Sequence, residues 1–374
     1  MVRRRRSVVA AAAACAFITG IAVGGGKGGG DERAQAPPVP PPRAAPAEAA
    51  AAEELPLTRQ VGRLVVLRFT GTSAPGYVRE ILREGRAAGA ILFRDNLSSP
   101  GQAKALTSRL RRGAASPPLI CVDQEGGDIR ILPWAPPERS QPAQAAAGAV
   151  HADALASARA LRAAGVNVSL APVADVASVP GAALAGRAFS SDFAAAAQAI
   201  GKSVRGWRAG GVAPTVKHFP GLGGVTVNTD DEPATITRDA AQLRGQDLLP
   251  FRAAIEAGVP LVMAGHAVYP AIDPDRIASQ SEPVIGGLLR EELGFDGVVI
   301  TDSTEAAAVQ AVTGVREAAV RNVRAGVDIV LTTGPGSYVQ VYRALLAEAR
   351  RDPAFRARVR ESAARVGALQ RSLR

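Results

Sequence analysis

A Lys-His pair and two adjacent carboxylates flank a glycine-rich stretch in the second half of the chain. The run Val216-Lys217-His218-Phe219-Pro220-Gly221-Leu222-Gly223-Gly224 leads on to Asp230 and Asp231. The apolar residues before the Lys-His pair predict a strand, and the glycines predict the loop that follows it. Lys and His side chains donate hydrogen bonds to hydroxyl groups, and a carboxylic acid can transfer protons. The pattern is typical of an active-site loop at the end of a strand.

A second apolar run, Gly297-Val298-Val299-Ile300-Thr301, ends in Asp302. A carboxylate that is fixed at a strand end and kept ionised can attack the anomeric carbon of a sugar. Asp302 could instead cap a helix beginning with Ser303-Thr304-Glu305, but Ser303 is able to do that capping. We therefore expect Asp302 to be the catalytic nucleophile.

Further polar groups follow other predicted strands. Asp123 is expected to accept hydrogen bonds from a hydroxyl group or from Lys217, since a buried Lys needs an acidic partner. The Glu125-Gly126-Gly127 turn lets the backbone approach a ligand closely. Arg187 lies in a loop, where it could bind a carboxylate or an acyl oxygen, or form only a surface salt bridge. The remaining polar candidates are Asp175 at a strand end, His266 as packing behind the site, and His151 on a helix surface.

These residues need a scaffold that brings strand ends together. Eight short apolar runs alternate with alanine-rich stretches of helical period. The predicted strands are Leu64–Phe69, Ala90–Phe93, Leu119–Val122, Val166–Pro172, Val212–Lys217, Leu261–Ala264, Gly297–Thr301 and Asp328–Leu331. Strands buried on both faces and alternating with helices predict a parallel sheet. We expect a single (β/α)8 TIM-type barrel, with an open doubly wound sheet as the alternative, and a C-terminal helix Pro353–Leu373 packed outside it.

The first 55 residues differ in composition from the rest. Arg3 to Arg6 precede an apolar run of 16 residues, Val8 to Val23, which is short for a membrane-spanning helix and typical of a signal peptide. We expect a signal peptide or membrane anchor over 1–24, a disordered Pro/Ala/Gly-rich linker over 25–55 and the barrel domain over 56–374. Cleavage and anchoring both stay open. Neither Cys15 nor Cys121 predicts a disulfide, and Cys121 is expected to be a buried apolar residue.

The charge is distributed over the whole chain. Residues 1–55 carry a net charge of +2 of the total of +10, which leaves +8 on the predicted domain. A basic exported domain is expected near anionic polymers, either extracellular, periplasmic or tethered to the outer face of the cytoplasmic membrane. Scattered arginines and 4% aromatic residues disfavour nucleic-acid binding. A monomer with a carbohydrate substrate is expected, with no metal and no cofactor.

Five motifs in this order resemble those of glycoside hydrolase family 3, and most closely its single-domain bacterial β-N-acetylhexosaminidases. The motifs are Asp123–Gly127, Gly186–Phe189, Lys217–Gly221, Ala264–Pro270 and Leu293–Asp302. The resemblance covers roughly residues 60 to 370. It implies a retaining glycosidase in which Asp302 is the nucleophile and Asp123, Arg187, Lys217 and His218 hold the sugar.

Two departures from the family pattern affect catalysis. The hexosaminidases carry an Asp-Ser-His triplet whose His is the general acid/base, and this chain has Asn228-Thr229-Asp230 there. Asp128 and Ile131 occupy positions where the family usually has Arg. We expect Asp230 or Asp231 to replace the missing His, because a carboxylic acid with a raised pKa can do the same work.

Three functions follow from these residues. The chain could be an exported glycosidase acting on β-linked N-acetylglucosamine-type sugars derived from cell wall or chitin, or a β-glycosidase of different sugar specificity. It could be a catalytically impaired sugar-binding barrel. It could also be a wall-tethered structural domain, which the presence of Asp302, Lys217, His218 and Arg187 disfavours.

Overall fold

The computed structural model describes Ala52 and residues 54–373. The predicted signal or anchor segment and nearly all of the predicted linker lie outside the described residues. Within the described part of the chain, no helix is long and apolar enough to cross a membrane.

Eight parallel strands form a nearly closed barrel. The strands of the chain are β1 Val65–Arg68, β2 Gly89–Ile91, β3 Leu119–Val122, β4 Gln124–Gly126, β5 Ile129–Arg130, β6 Val168–Ser169, β7 Ala213–Phe219, β8 Leu261–Ala264, β9 Val268–Tyr269, β10 Asp273–Ile277, β11 Val298–Thr301 and β12 Val330–Leu331. The barrel order is β11-β8-β7-β6-β3-β2-β1-β12, and every neighbouring pair is parallel. A parallel bridge between Ile300 and Ile329 brings the two end strands together.

Each barrel strand is followed by helical structure. The helices are Leu57–Gly62, Gly76–Arg83, Pro100–Arg111, Gln141–Ala146, Val150–Ala163, Phe193–Ala209, Ala240–Gln242, Leu249–Glu256, Ala307–Gln310, Val315–Ala325, Ser337–Arg351 and Pro353–Ser372. Short 3-10 turns cover Arg94–Asn96 and Ala278–Gln280, and Leu243–Asp247 and Pro283–Glu292 are π-helical. All eight predicted strands are therefore present, with ends shifted by a few residues, and the open-sheet alternative is wrong.

Two antiparallel hairpins were not predicted. β4 pairs with β5 directly after β3, and β9 pairs with β10 after β8. Both hairpins follow the carboxyl end of a barrel strand, which is the end where such folds carry their active sites. Their strands have two to five residues, too short for an alternating pattern to stand out in the sequence.

The barrel interior is a packed apolar core that includes Cys121, as predicted for that cysteine. The C-terminal helix does more than pack on the outside. Its residues Val366 and Leu369 belong to the interior cluster, and the Gln370 side chain donates a hydrogen bond to the carbonyl of Ala88 before β2. The last turns of this helix therefore cover the amino-terminal end of the barrel.

A buried carboxylate ties the same helix to the sheet. Asp328 precedes β12, and its oxygens lie 2.6 Å from Arg290, 2.7 Å from Arg358 and 3.3 Å from Arg365. The Ser362 hydroxyl donates a further hydrogen bond of 2.8 Å. Burial alone would raise the pKa of Asp328, but the three guanidinium groups outweigh burial and lower it to about 2. This cluster lies at the end of the barrel opposite the strand ends that carry the predicted catalytic residues.

We expect Asp328→Asn to lower the free energy of unfolding by about 3 to 5 kcal/mol, because three arginines lose their shared partner. A pKa of about 2 lies below the usual value of about 3.9, so this stabilisation is complete above about pH 5 and is lost as the pH falls toward 2. Urea unfolding of both proteins across this pH range should show their difference shrink on the acid side. Glu317→Gln, at an exposed pair with Arg321, is the control and should change little. A comparable loss in both variants would contradict a special role for Asp328.

Candidate active site

The carboxyl ends of the barrel strands surround a cleft of about 410 Å³. It contains six of the seven predicted site residues, and Asp231 is not among those that line it. The lining residues are Arg68, Ile91, Phe93, Asp123, Glu125, Ile129, Ile131, Leu170, Arg187, Lys217, His218, Asn228, Asp230, Met263, Asp302, Ser303, Leu331 and Thr333. The cleft thus has an apolar floor with charged groups converging from several strands.

Four charged side chains form a network on one side of the cleft. Lys217 Nζ lies 2.7 Å from Asp123 Oδ1 and 2.7 Å from Glu125 Oε1. The Arg187 guanidinium donates two hydrogen bonds to the carboxylate of Glu125, at 2.8 and 2.9 Å. Lys217 is buried, and the close carboxylates outweigh the effect of burial and raise its pKa. Arg187, which is 24% exposed, therefore pairs with a buried carboxylate and does not form a simple surface salt bridge.

Glu125 is the residue of this network that the sequence analysis missed, since it was taken only as part of a turn. Its side chain is 1% exposed. Burial would raise the pKa of Glu125, but Lys217 and Arg187 outweigh burial and lower it to about 2. The signal that could have found it was the buried Lys, which needs more than the partly exposed Asp123 to balance its charge.

Lys217 and His218 are consecutive residues, yet both line the cleft. A regular strand would send them to opposite faces. β7 pairs with β8 through Val216 and again at Phe219, with an irregularity in between, and such a bulge redirects a side chain. The peptide bond between Lys217 and His218 is cis. The strand also extends to Phe219, beyond its predicted end.

Asp175 orients the His218 ring. Its Oδ2 lies 2.6 Å from His218 Nδ1, and its carboxylate also accepts hydrogen bonds from the backbone N–H groups of His218 and Leu222. We assign the hydrogen on Nδ1 to the bond with this carboxylate. The other ring nitrogen, Nε2, then lies 3.6 Å from Asp302 Oδ2. Asp175 thus positions a ring nitrogen beside the predicted nucleophile.

Asp302 lies at the end of β11 with a side chain that is 17% exposed. Its Oδ1 accepts a hydrogen bond of 2.7 Å from the N–H of Ser303. Burial would raise its pKa, but His218, His266 and Lys217 outweigh burial and lower it. The next helix begins only at Ala307, so Asp302 does not cap a helix that starts at Ser303. An ionised, accessible carboxylate in the cleft is what a nucleophile requires.

The loop after β7 carries Asp230 into the same cleft. The backbone carbonyl groups of Asp230 and Thr229 accept hydrogen bonds from the N–H groups of Ala307 and Ala308 at the start of a helix. Burial around the carboxyl group, and then the charge of Asp302, raise the pKa of Asp230, although the residue as a whole is solvent exposed. Asp230 is therefore the cleft carboxyl that most readily keeps a proton.

Asp231 differs from its neighbour. It is exposed, and its backbone N–H donates a hydrogen bond of 3.0 Å to the carbonyl of Asn228 within the loop. Asp231 does not line the cleft, so the geometry does not support its predicted catalytic role. Asp230 remains the candidate for the general acid/base.

The other two histidines of the described chain lie where the sequence analysis expected them. His266 is fully buried, with Nδ1 2.9 Å from the Ser279 hydroxyl and Nε2 3.0 Å from the carbonyl of Ser303. Burial lowers its pKa, and the ring packs behind the segment that follows Asp302. His151 is exposed on the helix Val150–Ala163.

Comparison with known proteins assigns this chain to a family. The glycosyl hydrolase family 3 N-terminal domain matches residues 57–369. The chain belongs to glycosyl hydrolase family 3. A β-hexosaminidase of Stenotrophomonas maltophilia is 38% identical over 282 residues, which cover 73% of this chain and 84% of that protein.

Two solved structures show how closely this family 3 chain resembles its relatives. A β-N-acetylhexosaminidase from Beutenbergia cavernae has a TM-score of 0.77 and 34% identity, over 85% of this chain and 99% of that one. A family 3 β-N-acetylglucosaminidase from Paenibacillus has a TM-score of 0.80 and 35% identity, over 85% of this chain. This chain spans 63% of the length of the Paenibacillus structure. The chain is thus a β-N-acetylhexosaminidase-like member of the family.

The structure also shows where the residues that depart from the family pattern lie. Ile131 lines the cleft with an apolar side chain. Asp128 is not a lining residue, and its carbonyl accepts a hydrogen bond from the exposed Arg94. Among the described residues, no group of three or more His, Cys, Asp or Glu side chains is arranged to hold a metal ion.

We expect Glu125→Gln to lower the free energy of unfolding of this family 3 chain by about 3 kcal/mol, because Lys217 and Arg187 lose their buried partner. The pKa of Glu125 is about 2, below the usual 4.3 or so, so its stabilisation should vanish as the pH falls from about 5 toward 2. Denaturant unfolding at several pH values measures both effects. Asp123→Asn is the matched control, because that carboxylate binds the same Lys217 but is 21% exposed. Equal losses in the two variants would show that Glu125 holds no special position.

Proposed function

We propose that this chain is a retaining β-N-acetylhexosaminidase with Asp302 as its nucleophile. The observation that carries the proposal is the meeting of two carboxyl groups of opposite pKa shift, Asp302 and Asp230, in one cleft. A low pKa keeps Asp302 ionised for attack on the anomeric carbon. A raised pKa favours the protonated form of Asp230, which can give its proton to the leaving group.

The reaction then has two steps. Asp302 forms a bond to the anomeric carbon while Asp230 gives its proton to the departing oxygen, which yields a covalent glycosyl-enzyme and a free alcohol. In the second step Asp230, now a carboxylate, removes a proton from water, and the resulting oxygen displaces Asp302 from the sugar. Asp230 thereby takes the role that the family's acid/base His fills in related enzymes.

The sugar is held by Asp123, Arg187, Lys217 and His218. Asp123 accepts hydrogen bonds, Lys217 and Arg187 donate them to hydroxyl groups or to an acetamido oxygen, and His218 Nε2 accepts one from a hydroxyl group. Relatives named β-hexosaminidase and β-N-acetylglucosaminidase support β-linked N-acetylglucosamine as the sugar, as found in cell-wall and chitin fragments. We also propose that the protein is a monomer, which light scattering would test.

Three variants test the two carboxyl roles in one experiment. Asp302→Asn should lower turnover of an aryl β-N-acetylglucosaminide by several powers of ten while largely preserving sugar binding. Asp230→Ala should impair natural-type substrates far more than an activated aryl glycoside, and added azide should restore turnover of the latter. The alkaline fall of kcat/KM, which reports ionisation of the acid, should disappear in Asp230→Ala. Asp231→Ala is the matched control and should behave like the unchanged protein.

One outcome would favour a second function. The Asn228-Thr229-Asp230 sequence replaces the family's His-containing triplet, which favours a sugar-binding barrel with impaired turnover. Binding of N-acetylglucosamine without hydrolysis of any aryl glycoside would support that function, and hydrolysis of a β-glucoside in preference would indicate a different sugar. Unchanged activity in Asp302→Asn would contradict the proposed mechanism.

We also propose that the protein is exported, with 1–24 as signal peptide or anchor, 25–55 as linker and 56–374 as the catalytic domain. The basic start, the apolar run from Val8 to Val23 and the Pro/Ala/Gly-rich composition that follows support this proposal. Expression of the full chain in a bacterial host should place it outside the cytoplasm or in the membrane fraction. A chain lacking residues 1–24 should stay inside. Cytoplasmic recovery of both proteins would contradict export.

A further inference from the structure

One cation in the cleft has no close carboxylate partner. Lys217 contacts two carboxylates at 2.7 Å, and Arg187 binds Glu125 through two hydrogen bonds. Arg68, at the end of β1, lines the same cleft, but its nearest acidic atom is Asp95 Oδ1 at 3.7 Å, beyond hydrogen-bond distance. Among the described residues that line the cleft, Arg68 is therefore the cation with unused capacity for an anion.

The guanidinium of Arg68 is nevertheless held in place. It lies over the ring of Phe93, 4.5 Å from its centroid, and Nη1 reaches the carbonyl of Thr333 at 3.4 Å. Its Nε is buried and makes no hydrogen bond. Stacking on an aromatic face orients a guanidinium while leaving its terminal N–H groups able to donate hydrogen bonds to a carboxylate or phosphate.

The barrel order places Arg68 on the leaving-group side of the cleft. In the ring of eight strands, β1 lies opposite β7, which carries Lys217 and His218, and β11 with Asp302 lies two strands from each. A sugar whose hydroxyl groups contact Lys217 and whose anomeric carbon meets Asp302 would direct its leaving group away from β7. We therefore take β1, on the opposite side of the ring, as the strand nearest to the leaving group, which would then lie beside Arg68 and Phe93.

We infer that Arg68 is a specificity residue that selects glycosides whose leaving group carries an anionic substituent. The ionised Asp302 would repel such a substituent, and the other cleft cations already contact carboxylates. Arg68 supplies the compensating charge. The inference rests on the proposed glycosidase function, because it assigns the leaving group by its position relative to the nucleophile.

Two substrates whose leaving groups differ in charge test this inference. The para-carboxyphenyl and para-carbamoylphenyl β-N-acetylglucosaminides have leaving groups of similar size, but only the first carries a charge. We expect kcat/KM of the full chain to favour the carboxylate by roughly five- to tenfold at low salt, and this preference should shrink as salt is added. Arg68→Gln should lower this ratio by roughly the same five- to tenfold factor.

Two neighbouring residues serve as controls. Arg94→Gln removes the same charge near the cleft at a side chain that does not line it, so the preference should persist. Asp95→Asn removes the acidic group 3.7 Å from Arg68, so the preference should increase. A preference that survives in Arg68→Gln, or is lost equally in Arg94→Gln, would overturn the inference.

Binding measurements separate this inference from the proposed function. Calorimetry on Asp302→Asn, with and without Arg68→Gln, reports the affinity for each glycoside without turnover. A charge preference that depends on Arg68 would support the inference even if neither substrate is hydrolysed by the unchanged protein, an outcome that would refute the glycosidase proposal. Hydrolysis of both substrates at equal rates with equal affinities would refute the inference and preserve the proposal.

Discussion

The cleft depends on one buried carboxylate, Glu125, that is shared by two cations. Lys217 comes from β7 and Arg187 from the loop after β6, and both contact this residue of β4. Three segments distant in sequence are thereby held in one geometry. Each cation alone would be costly to bury, and the shared acid lowers that cost while leaving Lys217 close to the surface of the cleft. The arrangement needs few residues, since the short hairpin β4–β5 is enough to present the carboxylate.

Neighbouring charges also give different pKa values to the two carboxyl groups proposed for catalysis. Asp302 has His218, His266 and Lys217 around it, and their attraction exceeds the effect of burial. Asp230 has the charge of Asp302 as its main ionic neighbour, which acts in the same direction as burial. The surroundings therefore shift the pKa values of two chemically identical side chains in opposite directions. The loop contact between Asp230 and Ala307 keeps the two groups within one cleft.

The two ends of the barrel have different tasks. At the amino-terminal end, Asp328 binds Arg290, Arg358 and Arg365, and the C-terminal helix covers the core. At the carboxyl end, the charged groups face an open cleft. Stability and chemistry are thus placed at opposite ends of the strands, as is usual for barrels of this type, so that residues in the loops can change without disturbing the core.

The sequence alone determined the strand count, the parallel barrel and six of the residues that meet in the cleft. Apolar runs and helical periods are local patterns, and parallel strands must bring their carboxyl ends together, so Asp302, Lys217 and Asp123 could be placed from the chain itself. Only the tertiary structure placed Asp230 and not Asp231 at the cleft, revealed Glu125 and Arg68 as cleft residues, and packed the end of the C-terminal helix against the barrel interior. These outcomes depend on which side chains from distant segments come into contact and on the bulge in β7. They also depend on the pKa values that all neighbouring charges set together, as at Glu125. No local sequence pattern encodes these features.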